Sequence, residues 1–166
     1  MIPRQVAQLQ SPSGGAAPKV VLDTNTVLDW LVFDDPGCIE LSWRILKGQL
    51  VWHATQAMRD ELAHVLPRSA FARWQPDMAR VLASFDQHAR LAAPPEEAIP
   101  VQVPSCKDPD DQKFIDLACT IGARWLFTRD RALLDLARSA RRIGVEVLKP
   151  GDWAFDGSEE SSAPGQ

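Results

Sequence analysis

Short apolar runs alternate with helix-periodic segments along most of the chain. Lys19-Val20-Val21-Leu22 is a β-prone run that stops at Asp23. Leu50-Val51-Trp52, Arg124-Trp125-Leu126-Phe127 and Val145-Glu146-Val147-Leu148 read the same way. A further short strand is expected near Val101 to Val103, inside a Pro-rich connection. Apolar residues recur at helical spacing over Thr26 to Leu31 and Ile39 to Leu46, separated by the breaker Asp34-Asp35-Pro36-Gly37. Thr55 is placed to cap a helix carrying Met58, Leu62, Val65 and Leu66 on one face and stopped by Pro67. Pro76 opens a helix to about Ala92. Asp108-Pro109-Asp110-Asp111 opens another through Phe114, Ile115, Leu117, Ala118 and Ile121, closed by Gly122. After Thr128-Arg129-Asp130 a last helix runs to about Arg142. Apolar strands alternating with helices predict an α/β fold around a parallel sheet buried on both faces.

The ends read differently. Residues 1–17 are rich in Gln, Ser, Gly, Pro and Ala without periodicity and are expected to be a flexible lead. Residues 152–166 form an acidic tail, expected to be disordered. This leaves one folded domain over residues 18–151. At 166 residues, 45% apolar and 24% charged, the composition is that of an ordinary globular domain. No stretch approaches the roughly 18 apolar residues of a membrane span, and no run of about 7–15 apolar residues marks a secretory signal. Cys38, Cys106 and Cys119 are odd in number and form no CxxC pair, which predicts a reducing, cytoplasmic setting.

The net charge of −4 comes mostly from the tail. Arg4 precedes the folded stretch and four acids follow it, which leaves 17 Lys and Arg against 18 Asp and Glu between residues 18 and 151. A protein that binds nucleic acid by bulk charge is basic, so any such role has to come from a local site.

In parallel sheets the functional groups gather beyond the carboxyl ends of the strands, and acids fall there. Asp23 ends the first strand, Asp130 follows the Trp125–Phe127 strand, and Asp108, Asp110 and Asp111 open the preceding helix. Glu61 lies between Met58 and Leu62 on the apolar flank of its helix, whereas Asp60 is on the polar side. Each acid alone has a plain structural role, as a cap, a turn former or a solvated side chain. Together they predict a cluster of like charges, which is tolerated when a cation sits among them. All-oxygen donors favour Mg²⁺ or Mn²⁺ over zinc, and His53, His64 and His88 lack ligand-like spacing. Asn25, two residues after Asp23, is placed to hold the Asp23 carboxylate or a metal-bound water, or to cap its helix. Arg129, Arg131 and Lys113 flank the acids, and Trp74 lies in an Arg-rich loop. Trp52 and Trp125 lie in strands and are expected in the core.

Four elements, in order, resemble the PIN-domain ribonuclease family: Val20-Val21-Leu22-Asp23-Thr24-Asn25; Glu61-Leu62 with Val65-Leu66; Asp108-Pro109-Asp110-Asp111 leading to Ala118; and Phe127-Thr128-Arg129-Asp130. The resemblance covers about residues 18–150, and within the family it is similar to VapC-like toxins of type II toxin–antitoxin systems. It implies a three-layer α/β/α sandwich with a parallel sheet of four or five strands. It implies Mg²⁺- or Mn²⁺-dependent endonucleolytic cleavage of single-stranded RNA, with Asp23, Glu61, Asp111 and Asp130 as the acidic quartet. Asp111 is preferred to Asp110 because it stands seven residues before Ala118. In this reading Asp23 and Asp111 hold the principal ion, Glu61 serves the attacking water or a second ion, and Asp130 completes the set. Asp108 is an auxiliary ligand, Asn25 and Thr128 are supporting polar groups, Arg129, Arg131 and Lys113 are candidate RNA-phosphate contacts, and Trp74 is a candidate partner or RNA contact. A homodimer and a cognate antitoxin are implied as partners.

Competing readings are weaker. A haloacid-dehalogenase-type phosphotransferase needs a second Asp where Asn25 stands, and the acid pattern of a receiver domain is missing. Neither GxGxxG nor a Walker A segment is present, so no nucleotide cofactor is expected. A catalytically silent PIN-like module that binds RNA or protein, and a housekeeping RNA-processing nuclease, are the alternatives that share the motif set.

Overall fold

The computed structural model describes residues 15–93 and 102–155. Five strands form one all-parallel sheet in the order β3-β2-β1-β4-β5. They are β1 (Lys19–Leu22), β2 (Val51–Ala54), β3 (Arg90–Leu91), β4 (Trp125–Phe127) and β5 (Glu146–Leu148). The helices are α1 (Thr24–Leu31), α2 (Ile39–Leu46), α3 (Gln56–Val65), α4 (Met78–His88), α5 (Gln112–Ile121), α6 (Arg131–Leu134) and α7 (Ala137–Arg141). The architecture is the three-layer α/β/α sandwich.

The central strands explain why the sequence shows apolar runs instead of alternation. Val20, Val21 and Leu22 of β1 and all of β4 are buried, because helices cover both faces. Right-handed crossovers put α1 to α4 on one face and α5 to α7 on the other. Val20 is in register with Trp52 on one side and Trp125 on the other. On that face Trp52 packs between Trp30 of α1 and Phe85 of α4, with ring centroids 5.6 Å and 4.8 Å away.

Local signals set several boundaries as expected. Thr55 caps α3 by accepting a hydrogen bond from the Met58 N–H at 3.3 Å. Gly122 ends α5 in the left-handed region at φ 66°, where a Cβ would strain the backbone.

Other boundaries differ. The strand expected near Val101 to Val103 does not form at residues 102 and 103, and Val101 lies outside the described residues. The edge strand is instead Arg90–Leu91, which pairs with His53 and Ala54; both residues are exposed, so it carries no apolar signal. The helix before it therefore stops at His88. The helix expected from Asp108 begins only at Gln112, after a turn in which Asp108 Oδ1 accepts from the Asp110 N–H at 3.0 Å. The last helix splits in two, because the Leu136 N–H turns back to the Leu133 carbonyl, a tighter i−3 bond.

The packed body also runs past the expected boundary at residue 151. Trp153 is buried edge-on against Trp125 and Phe127, with centroids 5.3 Å and 5.2 Å away. Phe155 sits beneath the Arg44 guanidinium at 4.1 Å. The remaining tail and most of the N-terminal lead lie outside the described residues. Among the described residues no helix is long and apolar enough to cross a membrane.

The strand order matters most for chemistry. From β1 the chain moves outward to β2 and β3, then returns to place β4 on the other side of β1. The carboxyl ends of β1 and β4 are therefore adjacent at a topological switch point, where open α/β sheets bind ligands.

Candidate active site

Asp23 closes β1 and caps α1. Its Oδ1 accepts from the Thr26 N–H at 2.7 Å, and its Oδ2 accepts from the Thr128 hydroxyl. Thr128 closes β4, is fully buried, and accepts the Asp130 N–H at 2.9 Å. One hydroxyl thus ties together the two strand ends that carry acids. Asp130 caps α6 through the Ala132 N–H at 2.8 Å. The capping role predicted for Asp130 is real, and Asp23, expected to stabilise a turn, also caps a helix; both roles aim the side chains instead of consuming them.

Asp111 behaves differently. It makes no capping hydrogen bond, and its Oδ2 is buried without a partner among the described residues. Burial first, then the negative charges of Asp130, Asp108 and Asp23, push its carboxyl up to about 7. Burial also raises Asp23, which is 2% exposed, against the opposing pull of hydrogen bonds from Thr128 and Thr26. Asp23, Asp111 and Asp130 therefore form a crowded set of like charges from residues up to 107 positions apart in sequence.

Glu61 reaches the same place from α3. Its Oε2 accepts from the Thr24 hydroxyl, and its Oε1 lies 3.2 Å from the Lys113 ammonium. Lys113 also donates to the Asp110 carbonyl. A cleft of about 220 Å³ is lined by Asp23, Glu61 and Asp111 together with Asn25, Arg68 and Phe71. A larger hollow of about 400 Å³ lies against α1, α2 and α4, away from the strand ends; the convergent acids single out the smaller one.

A family model described as PIN domain matches residues 19–132, from β1 into α6. The chain belongs to the PIN-domain family. No curated protein matches it. PIN domains have a nuclease fold and are generally nucleases, and they typically bind divalent metal ions. The matched span of this PIN domain contains Asp23, Glu61, Asp108, Asp111 and Asp130.

The metal expectation needs a correction in geometry. Among the described residues no three Asp, Glu, His or Cys side chains stand ready as a metal cage. Each oxygen of Asp23 and of Glu61 meets one protein donor, which leaves every one of them a further lone pair. The donor chemistry nevertheless fits Mg²⁺ or Mn²⁺. Such ions commonly keep most of their waters and use one or two carboxylates, and the partnerless Asp111 Oδ2 is a free oxygen donor of that kind.

Other expected roles are reassigned. Asn25 lines the cleft but does not hold Asp23, whose oxygens are taken by Thr26 and Thr128. Asp108 is an exposed turn former that reaches Asp111 through its charge. Arg131 is 89% exposed and 3.5 Å from Asp135. Lys113 is committed to Glu61. Arg129 binds Asp29 at 2.7 Å, so it is a structural partner first. Sequence reasoning missed Thr24, Arg68, Phe71 and Asp29. The hydroxyl next to Asp23 was a usable signal for Thr24; nothing local marks the other three.

Asp29 is buried, and desolvation raises its carboxyl against the lowering pull of Arg129. Arg129→Ala leaves that charge unpaired and is expected to cost about 1–3 kcal/mol, discounted because Arg129 is half exposed. Without its cation Asp29 rises further, so the loss measured by urea unfolding should be larger at pH 8 than at pH 5. An equal loss at both pH values would show that packing, not charge, is what Arg129 contributes.

Proposed function

We propose that this PIN domain is a divalent-metal-dependent endoribonuclease that cleaves single-stranded RNA. The observation that carries this reading is the buried, partnerless Asp111 oxygen among Asp23 and Asp130 at the switch point. A buried carboxylate in such company is costly unless a proton or a cation compensates it. Asp23 and Asp111 hold the ion, with Asp130 and Glu61 completing the set. When bound, Mg²⁺ or Mn²⁺ supplies charge neutralisation at the phosphate and acidifies the attacking water.

The chain's own groups do the rest. Thr128 fixes the Asp23 carboxylate and, through the Asp130 N–H, the turn that carries Asp130. Glu61 takes a proton of the water that attacks phosphorus, the phosphorus–oxygen bond to the leaving ribose oxygen breaks, and that oxygen takes up a proton from solvent. Thr24 orients Glu61 for that step. Lys113, paired with Glu61, holds that carboxylate in place. The toxin role, a cognate antitoxin and a homodimer belong to the same reading and rest on the motif resemblance.

The test is cleavage of a labelled single-stranded RNA by the full chain. Cutting is expected with Mn²⁺ or Mg²⁺, lost on complete chelation and regained when the ion is restored. Undiminished cutting under chelation would overturn the metal requirement.

A further inference from the structure

We propose that the segment from Arg68 to Trp74 is the track on which a single RNA strand lies as it enters the acidic cleft. Arg68 takes a backbone phosphate and the exposed Trp74 stacks a base. This rests on the ribonuclease reading and adds a substrate subsite to it.

Four observations converge. Arg68 is the one cation among the described residues that line the cleft. It is exposed, and its guanidinium makes no hydrogen bond or ion pair among the described residues, whereas Arg129, Arg131 and Lys113 are each engaged. An unengaged guanidinium facing a site that works on phosphodiesters is free to bind a phosphate oxygen pair.

Aromatic rings lead away from that cation. Phe71 lines the cleft and packs on Phe33 with centroids 5.8 Å apart; Phe33 in turn meets Trp74 edge-on at 4.6 Å. Phe33 therefore holds the indole from one side while 46% of Trp74 stays open to solvent. Arg73 lies 5.5 Å from the same ring. Cations alternating with an open aromatic face are what sequence-tolerant single-strand binding uses.

The segment is also held in a specific shape. It is a short 3-10 helix, Ser69–Trp74, that ends at Gln75 in the left-handed region at φ 44°. A non-glycine residue there is costly, and such positions cluster at ligand-binding segments.

The experiment measures binding of a short labelled single-stranded RNA of mixed sequence to the full chain. It is run in chelator over a salt series, alongside KM and kcat for cleavage in Mn²⁺. Trp74→Ala should weaken binding about fivefold or more, from the loss of one stacked base. Arg68→Ala should weaken it and reduce the salt slope by about 0.7, the contribution of one phosphate on a single strand. Arg68→Lys should restore that slope. Both alanine variants should raise KM with kcat nearly unchanged, the mark of lost uniform binding. Trp43→Ala, an equally exposed tryptophan on α2, serves as the control and should change nothing.

A native chain that binds no single-stranded RNA under either condition overturns the proposal. So does unaltered binding in both variants, or equal binding of the matching duplex, whose bases are not free to stack. Variants that shift self-association but not RNA binding would make this face a protein contact and overturn it too. If the variants bind RNA less well but the native chain never cuts, the track stands and the nuclease reading falls. If the chain cuts RNA but the variants bind normally, the reverse holds.

Discussion

Asp23→Asn is expected to slow metal-dependent RNA cleavage by about a thousandfold or more, which corresponds to some 4 kcal/mol of transition-state stabilisation. The fold should tolerate it. Asparagine is as good an N-cap as aspartate, so the bond from the Thr26 N–H survives. The Thr128 hydroxyl, which donates to Asp23, can rotate and accept from the new amide instead. Losing an anion at the start of α1 sacrifices about 0.3–1 kcal/mol of dipole interaction, but it also relieves the burial that raises the Asp23 carboxyl. The midpoint of urea unfolding should therefore move by about 1 kcal/mol or less. Rates within tenfold of the native enzyme would remove Asp23 from the metal site. A collapse of both rate and stability would make it a structural cap first.

Asp111→Asn is expected to have two effects of opposite sign. Cleavage should fall as far as in the Asp23 variant, because the partnerless oxygen is the proposed ion donor. Stability without metal should rise at alkaline pH. An unfolded Asp titrates at about 3.9, whereas burial and the surrounding acids hold Asp111 at about 7 in the folded chain. Between these values the folded protein keeps a proton that the unfolded chain has lost. Stability from this group is therefore greatest at low pH, declines as pH rises from about 4 to 7, and levels off above 7.

Asparagine abolishes that decline. The gain at pH 8 is put at about 1–2 kcal/mol after discounting for the partial exposure of Asp111, or roughly 2–8 °C in Tm. At pH 4 the two proteins should melt together. Mn²⁺ at pH 8 should raise the Tm of the native chain and not that of the variant. A variant less stable than the native chain at pH 8 would show that the carboxylate is structural. An equal Mn²⁺ response in both would place the ion elsewhere.

The two substitutions probe different parts of the site. Asp23 is engaged on both oxygens and held by the backbone of one helix and the hydroxyl of another strand end. Asp111 is held by a turn and left with an oxygen to spare. Local sequence identified both acids but carried no sign of this difference. The distinction depends on Thr128, 105 positions from Asp23, and on Asp130, 19 positions from Asp111.

The sequence by itself determined the elements whose causes are local. Burial on both faces requires apolar runs, so the central β1 and β4 were legible, and β2 and β5 kept enough apolar residues to be read as strands. Caps act within three or four residues, so Thr55, Gly122 and Asp130 could be placed. The edge strand at Arg90–Leu91 was not legible, because an exposed pair held only by backbone bonds leaves no hydrophobic trace. The late start of α5 was hidden for a related reason: Asp108 suits a helix cap and a turn equally well.

Only the tertiary structure decided which charges are free. Arg129 and Arg68 look alike in the chain, yet one is bound to Asp29, 100 positions away, and the other opens onto the cleft. Strand order brings β4 beside β1 and so fixes these pairings. That order is chosen by burial summed over the whole sheet, which no short window of sequence contains.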